Sequence, residues 1–249
     1  MVGRRPQRTR IRRAAVRTGS GRVARSATLT RHVGETLRMG TDSSSQTGPR
    51  TDGKTRLLDA AEALLDQAGI DGTTGAAITA AAGHKNAAAV NYHFGNLDRL
   101  IRAVLDRRAT ELNVIRHARL DELEAGGSVE PRAAFVAIVE PLADLLASKE
   151  GRRYLRLLNQ AANHPRFHAQ AGMGFASSLE RGAANLSPLV SHLAPDRQRH
   201  RAGNVLGLVL FALAEQARVI DDEAQDMPVL GREAFIVDLA DSSLAALSA

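Results

Sequence analysis

Residues 73–100 read TTGAAITAAAGHKNAAAVNYHFGNLDRL. Gly83 and Gly95 cut this stretch into short pieces, each with helical spacing. In the first piece, Thr73 or Thr74 offers an N-cap hydroxyl, and Ala77, Ile78 and Ala81 form an inner stripe. After the Gly83 turn a helix is expected from about Lys85 to His93, with Val90 and Phe94 facing inward. Gly95-Asn96 ends it, and Asn96 can cap the next helix at Leu97. Helix, glycine turn and short helix is the arrangement that places one helix in a DNA major groove.

At about 100° per residue, fixing Val90 and Phe94 inward turns Lys85, Ala88 and Tyr92 outward, with Ala89 and Asn91 on the flanks. Lys85 can meet a phosphate or a guanine edge. Asn91 can make the paired bond to adenine, and the methyls of Ala88 and Ala89 suit a thymine methyl. Helix N-termini near Thr74 and Leu97 offer free N–H groups to phosphates. The candidate DNA-binding set is therefore Thr74, Lys85, Asn86, Ala88, Ala89, Asn91, Tyr92 and His93.

Outward from this stretch the chain stays helical. Upstream, Leu57, Leu58, Ala61, Leu64, Leu65 and Ala68 mark one helix face, capped by Thr51 or Asp52 and ended by Gly69. Downstream, a long helix is expected from Leu97 towards Leu123, closed by Gly126-Gly127. Further helices are expected over Pro131–Ser148, Gly151–Asn163, Phe167–Asn185, Pro195–Asp222 and Arg232–Leu247, separated by prolines and Gly231. No alternating run suggests a sheet. The expectation is an all-α protein: a three-helix helix-turn-helix domain over residues 51–102, then a larger helical domain over 103–249, to which the resemblance described below assigns ligand binding and dimerisation.

Charge divides the chain unevenly. Residues 1–50 hold 12 Arg and no Lys against Glu35 and Asp42, whereas the remainder holds 21 basic against 25 acidic residues. The first segment reads as a disordered Arg-rich tail. It is either a basic arm attracted to DNA phosphates or an over-extended start, with translation beginning near Met39. The helix-turn-helix segment is not basic: Lys54, Arg56, Lys85 and Arg99 stand against six acids between Asp52 and Asp98.

The run Thr73-Thr74, Ile78-Thr79-Ala80-Ala81-Ala82-Gly83 and Tyr92-His93-Phe94-Gly95-Asn96-Leu97-Asp98-Arg99-Leu100 resembles the N-terminal domain of the TetR family of transcriptional regulators. Leu57–Gly69 resembles its first helix. Leu97 departs from the Lys that often opens the fourth helix there, which removes one phosphate contact. The resemblance implies an all-helical homodimer, a double-stranded and palindromic operator, and repression relieved by a small-molecule effector in the cytoplasm.

For the second domain, Leu206, Leu210, Leu213 and Ala217 form a seam, joined by Phe235 and Leu239 of the last helix, as the expected dimer interface. Tyr154, Asn159, Gln160 and Asn163 are the candidate effector contacts. His164 and His168 are four apart, but Pro165 lies between them and no metal is expected. No cofactor is expected either.

Other classes lack support. With no cysteine, disulfides, zinc fingers and thiol catalysis are excluded. No phosphate-cradling loop, nucleophile elbow or metalloprotease motif appears, so an enzyme is not expected. The apolar stretch Val205–Ala214 is broken by Glu215 and reads as too short for a membrane span. A nonspecific DNA binder driven by the tail, and a helical ligand binder whose DNA domain has decayed, remain as rivals.

Overall fold

The computed structural model describes residues 52–167, 176–222 and 229–249. The expectations for the tail, and for the first half of the helix placed over Phe167–Asn185, fall largely outside them. The described residues of the unit from Gly48 onward form α-helices and short 3-10 turns.

Helix α1 spans Gly53–Gly72 and is broken from within: Gly69 takes φ 70° and ψ 179°, a combination essentially reserved for glycine. The chain turns back there and buries Ile70. Thr73 fastens the break, its hydroxyl donating to the Gly69 carbonyl at 2.7 Å. Thr74 is the cap of α2 (Gly75–Ala81), accepting the Ala77 N–H at 3.2 Å. The inner face of α2 differs from expectation. Ile78, Thr79 and Ala82 are buried, while Ala77 and Ala81 are exposed. Thr79 can be buried because its hydroxyl donates to the Gly75 carbonyl at 2.8 Å.

Helix α3 runs Ala89–Phe94, and α4 runs Leu97–Ala125 behind the cap of Asn96, whose Oδ1 accepts the Arg99 N–H at 2.8 Å. Then come α5 (Pro131–Asp144), α6 (Lys149–Asn163), α7 (Ala176–Leu186), α8 (Pro195–Asp221) and α9 (Arg232–Ser248). One 3-10 turn follows α5 at Leu145–Ala147, in place of the last helical residues expected there.

Helices α1 and α3 pack on the first half of α4, with α2 packed on α1 and α3; the second half of α4 packs with α5 and α7. Helix α6 lies along α8 and also against α1. One apolar cluster runs continuously from Leu57 to Leu247, so both domains share a core. Two large polar side chains sit inside it. The Arg116 Nε donates to the Ile138 carbonyl at 2.8 Å, and burial pulls the guanidinium down to about 10. The Tyr154 hydroxyl donates to the Leu105 carbonyl at 3.1 Å, and burial pushes that phenol up. Helix α8 differs from the expectation about length: it is long and apolar enough to cross a membrane by length and composition. Here α8 instead buries Val205, Val209, Leu213 and Ala217 in the core.

Candidate nucleic-acid interface

The turn after α2 is set by Gly83 at φ 68°. Past it, the backbone from Lys85 to Ala88 is not yet helical, which corrects the expected helix start by four residues. Asn86 is the cause. Its Oδ1 accepts the Ala88 N–H at 2.9 Å and its carbonyl accepts the Ala89 N–H at 3.0 Å, so the turn closes before α3 begins. Gly95 then ends α3 at φ 84°.

The outward set is displayed to solvent. Lys85, Asn86, Ala88 and Asn91 are exposed, and Tyr92 is 83% exposed. Ala89 is a correction: at 4% exposed it packs inward with Val90, because the shorter helix turns its first residue towards the core. Thr74 is exposed, but its hydroxyl is engaged as the α2 cap. His93 is half-buried between the rings of His84 and Tyr92, at centroid distances of 5.9 and 4.9 Å.

Sequence reasoning missed His84. Its Nε2 lies 3.1 Å from the Gly53 carbonyl and joins the start of α1 to the turn. The Lys54 ammonium lies over the Phe94 ring, 5.6 Å from its centroid. No sequence signal pointed to these contacts, since nothing local links residues 31 apart.

The acidic balance of the segment resolves in space. Asp59 and Glu62 pair with Arg107, and Glu62 also with Arg108. Asp66 pairs with Arg153 and Arg156; Asp71 with His164 and Arg166; Asp98 with Arg166. Five of the six acids are thus engaged by α4, α6 or the turn after α6. Among the described residues, Lys54, Arg56, Lys85 and Arg99 make no ion pair, and Lys54, Arg56, Lys85 and Arg99 are all exposed. The surface around α3 therefore presents free cations although the segment's sum is acidic.

This architecture defines a class: an all-helical protein with an exposed helix-turn-helix joined to a larger helical domain. Residues 57–104 match the family of bacterial regulatory proteins, tetR family. Over these residues the chain carries a helix-turn-helix domain of the TetR type, which supports a DNA-binding regulator. Among solved structures it is similar to a TetR-family transcriptional regulator from Mesorhizobium loti, at 19% identity over 78% of this chain and 94% of that one, TM-score 0.43. It is also similar to the multidrug binding protein EbrR complexed with malachite green (19%, 77% and 98%, TM-score 0.49) and to a TetR-family protein from Rhodococcus sp. (15%, 80% and 100%, TM-score 0.47). No curated protein matches the sequence.

Of the expected effector contacts, Asn159 and Asn163 are brought together, while Tyr154 and Gln160 face other helices. Tyr154 is fully buried in the core. Asn159 and Asn163 bond each other, the Asn163 amide donating to the Asn159 carbonyl at 2.8 Å. Gln160 faces Gly69 of α1. The expected dimer seam is mostly internal: Leu210, Leu213, Ala217, Phe235 and Leu239 are buried within their own subunit, and of the six only Leu206 is exposed. The neighbouring stripe of α8 is the open one. Phe211 is 60% exposed, Leu208 is exposed, and nothing lies near Gly203 or Gly207. Val237 of α9 is exposed as well. Among the described residues no cluster of His, Asp or Glu is arranged to hold a metal.

Proposed function

We propose that the protein is a homodimeric, cytoplasmic, sequence-specific repressor that binds a palindromic operator and is released by a small-molecule effector. The observation that carries the DNA-binding part is the sorting of charge: acids drawn into pairs behind the head, with Lys85 and Tyr92 open on its front. Tyr92, Asn91 and Asn86 offer base-edge or sugar contacts, while Lys54, Lys85 and Arg99 offer phosphate contacts.

The open stripe on α8 supports two-fold symmetry. Gly203 and Gly207 let a second backbone come close, and Leu208 and Phe211 supply apolar area beside them on α8. A dimer built there presents two α3 helices, whose spacing must match half-sites about 34–36 Å apart or a multiple of it. Helix α4 spans both domains, with the head at its start and α5 and α7 at its end, so an effector that moves it changes this spacing. Sequencing duplex DNA selected by the purified protein tests the reading. A palindromic consensus is expected, and the absence of any enriched sequence overturns it.

A further inference from the structure

Beside the apolar core they share, helices α6 and α1 meet along a polar stripe. Arg156, Gln160 and His164 are spaced by four and face Asp66, Gly69 and Asp71 of α1 in that order. Arg156 holds Asp66 with a fork, Nε to Oδ1 at 2.8 Å and Nη2 to Oδ2 at 3.0 Å. Its remaining nitrogen, Nη1, reaches Asp221 Oδ2 at 2.6 Å. Asp221 is the last residue of α8 and also takes Arg152 Nε at 2.6 Å. The three central side chains are only 15%, 21% and 25% exposed, so salt screens them less than ordinary surface pairs.

We propose that Asp66–Arg156–Asp221 is a strut in series, and that Arg156 is a positioning residue that fixes the angle of the DNA-reading head relative to α8. An apolar contact would tolerate sliding, whereas a fork of two parallel bonds fixes direction as well as distance. The strut joins the head to the body independently of the covalent path through α4, beside the shared core and the ion pairs of Asp71 and Asp98. Its meaning for DNA binding rests on the function proposed above; the geometric claim does not.

Two links in series give a signature that mere local stabilisation does not. Breaking either end releases the head, and breaking the second adds little, although Asp66 and Asp221 sit on different helices. The chain has no cysteine, so spin labels at Ala80→Cys and Arg199→Cys, both exposed, report the head-to-body distance in the full chain diluted with unlabelled protein. The wild type is expected to show one narrow distance. Asp66→Asn and Asp221→Asn each broaden it about twofold, and the double variant broadens it no further. Arg156→Lys keeps the charge but loses the fork, and is expected to broaden it too. Operator affinity measured on the same proteins should fall about five- to tenfold in each single variant and by no more than about twofold further in the double. Narrow distances in every variant, or losses that multiply in the double, overturn the strut. Broadened distances in a protein that selects no DNA sequence support the strut and reject the regulator reading, so the two failures are distinguishable.

Discussion

The Asn86 side chain accepts the backbone N–H of Ala88 at 2.9 Å, and this bond decides where the DNA-facing helix begins. It satisfies a donor that would otherwise be free ahead of α3, the service of an N-cap. Asn86→Ala is expected to cost about 1 kcal/mol. For a chain of this size that is a fall of about 2–4 °C in the melting temperature. Asn86→Asp keeps the acceptor, so it should melt near the wild type yet bind DNA more weakly, because a carboxylate then faces the phosphates. Equal operator affinity of the Asp variant would take Asn86 out of the interface.

Gly69 is the second backbone position on which the head depends. A side chain added there meets only Gln160 Oε1 at 3.6 Å, an ordinary contact, so any cost comes from the backbone and not from a clash. With φ 70° and ψ 179°, Gly69→Ala is expected to cost about 1–3 kcal/mol. Calorimetry checks this, and an unchanged melting temperature would mean that α1 can run straight.

Core and interface on α8 separate by mutation. Leu213 is fully buried, and Leu213→Ala should destabilise the fold by about 2–5 kcal/mol. Phe211→Glu should leave helicity intact and halve the sedimentation mass at micromolar concentration. A variant Phe211→Glu that still sediments as a dimer moves the interface elsewhere.

Acid should loosen the inter-helix ion pairs. Hydrogen bonds from Arg232 hold the Glu140 carboxyl below its ordinary value; burial works against ionisation of Asp221, but the bonds from Arg156 and Arg152 outweigh it, and that carboxyl is lowered too. Because the folded values lie below the unfolded ones, this stability is complete above the ordinary carboxylate range and is lost as pH falls through the lowered values. The melting temperature should therefore hold from neutral pH to about 4 and drop below it. Asp221→Asn should flatten part of that drop. Since these groups are partly exposed, 1 M salt is expected to reduce the effect.

Helix boundaries were legible where glycine or proline marks them, as at Gly69, Gly95, Pro131, Pro195 and Gly231. The start of α3 was not, because Asn86 to Ala89 carries no apolar period and the deciding bond is from a side chain to the backbone. Periodicity found the Leu206, Leu210, Leu213 and Ala217 stripe of α8 but could not say whether the subunit uses it itself; α6 and α9 take the Leu213 side and leave Phe211, which no spacing singled out, open. Charge counting failed for a similar reason. Whether Asp66 or Asp98 repels DNA depends on Arg156 and Arg166, which are 90 and 68 residues away.

The central claim is that the front formed by Lys85 and Tyr92 reads DNA. Gel shifts at fixed salt on a selected operator, comparing wild type with the Lys85→Ala, Tyr92→Ala double variant, test it most directly. Both side chains are exposed, so the double variant should melt like the wild type, and its operator affinity should drop to that for unrelated duplex. Undiminished operator preference in the double variant would contradict the account.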